Sequence, residues 1–156
     1  MTGRGQRIVD PGRLTDSDMA FVLAGLAQGG VQIEPDVVIV DELAIHGVLA
    51  PGGSLTLGPV VRQRCDARGA WVSSERIPPG QAPAELPPEA ERVAAALTAA
   101  GYFGPFGVDA FTYRAPRRVE TSADTVATPI ELQPRSEINA RFTMGFSVTW
   151  EQLRRG

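Results

Sequence analysis

The chain has no lysine, one cysteine, one histidine and no long apolar run. All 15 basic residues among its 156 are arginine, and Cys65 and His46 are the only residues of their types. A single cysteine excludes an internal disulfide and any metal site built from several cysteines. The sequence contains no run of roughly 18 apolar residues, the length that a membrane-spanning helix requires. Residues 1–7 lack the apolar stretch of a signal peptide, so we expect a cytoplasmic protein without a membrane partner.

Charge and composition narrow the class of protein further. The 15 arginines face 18 acidic residues, for a formal net charge of −3. This balance lacks the basic surplus that drives sequence-independent binding to nucleic acid, so we expect no nucleic-acid partner. With 43% hydrophobic and 21% charged residues, the composition is that of an ordinary globular protein. We expect a mobile glycine- and arginine-rich loop at residues 1–13 and a single domain over residues 14–156.

Hydrophobic periodicity predicts an α+β fold with a mainly antiparallel sheet and packed helices. The first helix has a capping-box pattern at Thr15 and Asp18, and its apolar stripe should face a core. Helices are predicted at residues 15–28, 88–100 and from about residue 143 onward. Strands are predicted at residues 37–49, 54–65, 70–77, 106–114 and 130–139. The Pro51-Gly52-Gly53 turn makes the first two strands a long hairpin.

Candidate metal ligands lie on the last two predicted strands. Glu137 and Asn139 are two residues apart, so their side chains point to the same face of a strand. Asp109 lies in the preceding strand and reaches that face if the two strands pair antiparallel. Carboxylate and amide oxygens of this kind suit Mg²⁺ that is shared with substrate phosphates. The alternative interpretation is a solvated strand edge without a ligand.

The order of these motifs resembles the ATP-grasp superfamily, specifically the C-terminal ATP-binding portion of its carboxylate–amine ligases. Those enzymes carry a G-(I/V)-D strand followed by an E-x-N-x-R segment. Here the matching runs are Gly107-Val108-Asp109 and Glu137-Ile138-Asn139-Ala140-Arg141. Weaker matches lie upstream, at Gln32-Ile33-Glu34-Pro35 for the adenine hinge, Asp41-Glu42-Leu43 for the ribose-binding strand and Thr2-Gly3-Arg4-Gly5-Gln6 for the glycine-rich phosphate loop.

The resemblance implies a role for each matching residue. Asp109, Glu137 and Asn139 would bind Mg²⁺, with Glu137 bridging two ions, and Arg141 would face the γ-phosphate or the acyl phosphate as the catalytic cation. The remaining implied residues bind ATP: Gly3, Arg4 and Gly5 at the phosphates, Glu34, Asp36 and Val37 at the adenine, and Glu42 at the ribose. The implied reaction activates a carboxylate with ATP to an acyl phosphate, which an amine then attacks.

Three polar residues keep two interpretations each. His46 shares the predicted face of Glu42 but matches no position of the family, and we interpret it as a structural or solvated histidine. Arg62 and Arg64 share one strand face, where one of them could contact phosphate or both could simply be solvated. Cys65 lies in an apolar strand pattern without a local base, which favours a structural role.

The sequence departs from a complete ATP-grasp enzyme in one important respect. The N-terminal subdomain, whose strand lysine contacts the α- and β-phosphates, has no counterpart here, and the chain has no lysine to replace it. We therefore expect a ligase portion that is not active alone, and that is either truncated or completed by a separate N-terminal subunit or a homo-oligomer. The alternative is a non-catalytic scaffold or interaction domain derived from the same fold. The substrates cannot be inferred from the sequence.

Overall fold

The computed structural model describes residues 7–10, 12–66, 71–78, 80–114 and 129–153. The chain divides into two compact units, Met1–Val37 and Val38–Gly156. The predicted division at residue 13 stays a prediction, because residues 1–6 and 11 lie outside the described residues. Residues 67–70, which include the start of the strand predicted for residues 70–77, also lie outside them. None of the helices in the described ranges is long and apolar enough to cross a membrane.

The first unit contains helix α1, Asp16–Ala27. Its N-terminus is a capping box, because the Asp18 backbone N–H donates to Thr15 Oγ1 and the Thr15 backbone N–H donates to the Asp18 carboxylate. Arg7 also pairs with Asp18, at 2.7 Å between Nε and Oδ1. The predicted helix is confirmed. Its apolar stripe is not buried within this unit, since Leu23 and Leu26 remain 60% and 55% exposed.

The second unit is built on an antiparallel sheet with six strands among the described residues. The strands are β1 Val38–Leu49, β2 Leu55–Leu57, β3 Val61–Cys65, β4 Trp71–Arg76, β5 Gly104–Arg114 and β6 Ile130–Asn139. Their order is β4-β3-β1-β5-β6, with β2 paired to β1 beyond the end of β3. The long strand predicted for residues 54–65 is interrupted at Gly58 and Pro59, because proline has no backbone N–H for a strand ladder.

Helix α2, Leu86–Ala99, covers one face of the sheet and forms the core with it. Alternate residues of the two central strands point to this helix: Leu43 and Ile45 from β1, and Phe106, Val108 and Ala110 from β5. They meet Leu86, Ala90, Val93 and Ala94 of α2. The helix ends at Gly101, whose φ of 78° lies in the left-handed region that favours glycine.

The opposite face of the sheet is polar at one end and covered at the other. Helix α3, Phe146–Leu153, packs against β1 and β4 at the covered end. The predicted α+β class with a mainly antiparallel sheet is confirmed. Every predicted strand region contains a strand, and the two later helices begin within three residues of their predicted starts, at Leu86 and Phe146.

Candidate functional site

The polar face of the sheet brings the three predicted metal ligands together. Asp109 of β5 lies directly opposite Glu137 of β6, and Gly107 lies opposite Asn139. Directly opposed residues of an antiparallel pair share a face. The Asn139 side-chain amide donates to Asp109 Oδ2 at 3.1 Å. Two segments about 30 residues apart therefore converge on one carboxylate.

Gln63 of β3 is a member of this cluster that sequence reasoning missed. Its side-chain amide donates to Asp109 Oδ1 at 2.9 Å, so the two Asp109 oxygens accept from different strands. Gln63 stands opposite Glu42 of β1, which is half-buried. Strand alternation could have indicated its face, because Gln63 lies between Arg62 and Arg64 and its side chain points to the opposite side of the sheet from theirs.

Asp109 is held in an environment that disfavours its charge. Its side chain is half-buried between the exposed Glu137 and the buried Asn139. Burial raises the pKa of Asp109, and the nearby charges of Glu137 and Glu42 raise it further. The hydrogen bond from Gln63 and the positive charge of Arg141 lower the pKa and offset part of this effect. The cluster therefore carries excess negative charge at a half-buried position, and a bound cation would neutralise that charge.

Arg141 lies within electrostatic reach of the cluster, on the segment that follows β6. Its guanidinium is exposed and lies 3.4 Å from the backbone carbonyl oxygen of Phe142. An open, mostly apolar groove of about 500 Å³ begins at the same residue. Its lining consists of Phe142, Thr143, Met144, Phe146 and Ser147. The cation of Arg141 therefore lies at the boundary between an acidic cluster and an apolar surface.

Arg62 and Arg64 point away from the cluster. Arg62 stands opposite Leu43, a core residue, whereas Asp109 stands opposite Ala44 on the other face. The Arg62 Nε donates to Asp41 at 2.7 Å, and Arg64 pairs with Glu75 at 3.0 Å. These ion pairs support the solvated-face interpretation, because a phosphate at Asp109 would lie on the opposite side of the sheet.

The residues implied for ATP binding fall into three places. Glu42 lies in the second unit, on the face of Asp109. Glu34 and Asp36, both exposed, and the half-buried Val37 lie in the first unit. Glu34 accepts a hydrogen bond of 2.6 Å from the Gln32 side chain. Gly3, Arg4 and Gly5 lie outside the described residues.

The only histidine is buried, and the only cysteine is half-buried. His46 is 1% exposed, which selects the structural interpretation over the solvated one. Burial lowers its pKa to about 4. Burial also raises the pKa of Cys65 to about 12, and the Glu42 carboxylate adds to that effect. The Cys65 thiol is therefore protonated at neutral pH and a poor nucleophile.

The cluster offers hard oxygen donors but few of them. Among the described residues no group of three or more His, Cys, Asp or Glu side chains is arranged to hold a metal ion. The candidate set consists of two carboxylates and one amide. That set suits Mg²⁺, which keeps several waters and uses one or two carboxylates together with substrate phosphates.

Comparison with known proteins adds no family assignment. No protein-family model matches the chain, and no curated protein matches it. The resemblance to ATP-grasp enzymes therefore depends on the sequence motifs alone.

Proposed function

We propose that this chain provides the ATP- and Mg²⁺-binding face of an ATP-grasp carboxylate–amine ligase. One observation carries the proposal: Asp109, Glu137 and Asn139, from two separate motifs, meet on one face of the sheet. Ligands that are distant in sequence must converge in this way to share one ion. The charge of Arg141 reaches the same cluster, and the position of this arginine two residues after Asn139 matches the E-x-N-x-R pattern.

The proposed reaction has two steps. A substrate carboxylate oxygen attacks the γ-phosphorus of ATP, the bond from that phosphorus to the β,γ-bridging oxygen breaks, and ADP leaves. An amine then attacks the carbonyl carbon of the acyl phosphate, inorganic phosphate leaves, and the amine gives up a proton. Such phosphoryl transfer depends on positioning and charge neutralisation rather than on a protein nucleophile. The reaction therefore does not require His46, which is buried, or Cys65, which is protonated, to act as a nucleophile.

The roles of the residues follow from their chemistry. Asp109, Glu137 and Asn139 would hold Mg²⁺, and the bound Mg²⁺ would neutralise charge on the phosphates. Arg141 presents a planar guanidinium, which suits the oxygens of a γ-phosphate or an acyl phosphate. The proposed ATP contact on the face of the cluster is Glu42, at the ribose.

A partner completes this proposal. A nucleotide triphosphate carries several negative charges, and the sequence has no lysine to contact the α- and β-phosphates. We propose that protein outside these 156 residues supplies those contacts, whether as further polypeptide of the same protein, a separate N-terminal subunit or a second copy of the chain. The chain alone would then bind Mg-ATP weakly and would not turn it over at the rate of a ligase.

The alternative is a non-catalytic scaffold, and one observation favours it. Both oxygens of Asp109 already accept hydrogen bonds from side-chain amides, those of Gln63 and Asn139. A carboxylate satisfied in this way is stable in the fold without a cation. In this case the polar cluster would hold β3, β5 and β6 together and would have no ligand.

Titration with Mg-ATP, followed by amide NMR shifts in the full chain, separates the two functions. We expect the amides of Asp109, Glu137 and Asn139 to shift with Mg-ATP and not with ATP in EDTA. Glu137→Gln removes a proposed ligand charge and should weaken binding about tenfold or more. Glu131→Gln is the matched control, because it makes the same change on the same strand, where Glu131 binds only Tyr113 among the contacts described.

The two functions predict different titrations. Equal losses for Glu137→Gln and Glu131→Gln would contradict the metal role of Glu137. No shift in the wild-type chain, with or without a partner subunit, would favour the scaffold. A change at His46 should weaken binding much less than Glu137→Gln, because His46 contributes no oxygen ligand.

A further inference from the structure

His46 is a buried polar side chain to which the proposed reaction gives no role. It lies on β1 opposite Gly107 and is 1% exposed. Neither ring nitrogen has a hydrogen-bond partner among the described residues, and the same holds for Thr143 Oγ1 nearby. A buried group without partners lowers stability unless something else compensates. The His46 ring is held by packing contacts instead of hydrogen bonds.

Two glycines leave the space that the imidazole fills. A Cβ placed on Gly145 would lie 2.7 Å from His46 Cε1, and one placed on Gly107 would lie 3.2 Å from Cδ2. Neither glycine has a positive φ, so space rather than backbone conformation favours glycine at both positions. Phe146 contacts the ring edge-on, with centroids 5.8 Å apart. The ring is therefore a spacer between β5 and the start of α3.

The residues on either side of this spacer define a connecting segment, residues 140–145, between β6 and α3. At its first end Asn139 donates to Asp109, and at its last end Gly145 lies against His46. Between them the Thr143 side chain lies over Gly107, 3.5 Å from the position a Cβ would take there. Arg141 is carried on this segment and is itself exposed. The position of the Arg141 backbone therefore depends on the contacts that Asn139, Thr143 and Gly145 make.

We propose that His46 is a positioning residue, whose ring fixes the connecting segment by shape and thereby holds Arg141 beside the acidic cluster. The ordering of the segment stands on packing alone, whereas its effect on nucleotide binding rests on the proposed function. Burial keeps the ring uncharged at neutral pH, since its pKa is lowered to about 4. An uncharged ring can pack between two glycines without a counter-ion.

Backbone ¹⁵N relaxation of residues 140–145 tests the packing directly. His46→Ala should increase fast motion of these amides, because it empties the space beneath Gly145. Ile45→Ala is the matched control: it truncates the neighbouring residue of β1, equally buried but on the α2 face. It should lower stability without loosening the segment. Unchanged relaxation in His46→Ala, or equal loosening in both variants, would overturn the proposal.

A double-mutant cycle tests the same contact from the other side. Gly145→Ala should displace the segment, because its new methyl would lie at the 2.7 Å separation from the ring. The double variant His46→Ala/Gly145→Ala should be less perturbed than Gly145→Ala, since the methyl then has room. Additive effects would overturn the proposal. If His46→Ala does not fold, His46→Val takes its place in the cycle, because valine is smaller than the imidazole ring and is favoured in strands.

Mg-ATP affinity is the readout that a merely structural role would not move. His46→Ala should weaken binding about threefold, while Ile45→Ala should leave it unchanged at temperatures where both remain folded. Equal affinities of His46→Ala and wild type, with a loosened segment, would overturn the link to Arg141. If wild type binds no nucleotide with or without a partner subunit, the proposed function fails, and the relaxation experiments still decide whether His46 orders the segment.

Discussion

At the scale of single residues, Asp109 shows a conflict between folding and ligand binding. Its pKa is raised in the folded state, first by burial and then by Glu137. A raised carboxyl pKa means that the protonated form stabilises the fold. That stabilisation is complete below the usual value near 3.8 and is lost as the pH rises through the folded pKa. At neutral pH the ionised Asp109 is therefore a cost to stability.

Asp109→Asn should consequently raise the melting temperature at pH 7.5 by a few degrees, at about 2 to 4 °C per kcal/mol in a chain of this size. An asparagine can still bond to the Gln63 and Asn139 amides, because either amide can present its oxygen instead. The gain should shrink near pH 4. Asp41→Asn, on the other face, is the control, and it should give no gain because Asp41 pairs with Arg62. A lower melting temperature for Asp109→Asn at pH 7.5 would contradict this account.

The sequence predicted part of this residue-scale geometry. Alternation along two strands that pair antiparallel predicts that Asp109, Glu137 and Asn139 share one face. It did not predict that Gln63 would occupy one oxygen of Asp109, because that contact depends on the registers of three strands. The burial of His46 was also unpredictable, since it requires Gly107 and Gly145, which are about 60 and 100 residues away in the chain.

At the scale of elements, Glu89 connects helix α2 to the strand that carries the candidate ligands. Its side chain is 7% exposed and pairs with Arg92 of the same helix and with Arg135 of β6. Both arginines are more than half exposed. The pairing is asymmetric, because only the carboxylate has been removed from water.

Removing the two arginine charges should therefore lower the free energy of unfolding more than removing the Glu89 charge. We expect the double variant Arg92→Gln/Arg135→Gln to lose about 3 kcal/mol of unfolding free energy, because it leaves a buried charge unpaired. Glu89→Gln should cost only about 1 kcal/mol, since both arginines can be solvated. Urea unfolding at neutral pH measures both. A larger loss for Glu89→Gln would show that the carboxylate is better hydrated than its burial indicates.

The elements themselves were the most predictable feature. Period-two patterns located the strands, and the capping box located the start of α1 at Thr15. The break at Gly58 and Pro59 could have been predicted from the proline, but the apolar pattern on both sides of it favoured one continuous strand. The exposure of Leu23 and Leu26 in α1 was not predictable, because periodicity identifies an apolar stripe without identifying what covers it.

At the scale of the whole molecule, the core belongs entirely to the second unit. Every residue of the buried cluster, and every apolar side chain packed against it, lies between Leu43 and Leu132. Residues 38–156 should therefore fold without residues 1–37. The fragment should give a cooperative thermal transition and the same sheet-containing circular dichroism. A fragment without a cooperative transition would show that the first unit is required for the second to fold.

Strand β5 places core and cluster on alternate residues: Phe106, Val108 and Ala110 point to α2, while Gly107 and Asp109 point to the polar face. The two sets can therefore be varied independently by substitution, so Asp109 could be randomised in a library while the core stays constant, whereas Gly107 must stay small because a Cβ there would lie 3.2 Å from His46 Cδ2. Insertions behave differently. One extra residue within β5 would exchange the faces of everything after it and would drive a carboxylate toward α2, whereas two extra residues would restore the alternation. Position 109 should therefore tolerate many replacements, whereas β5 should tolerate almost no odd-numbered change of length.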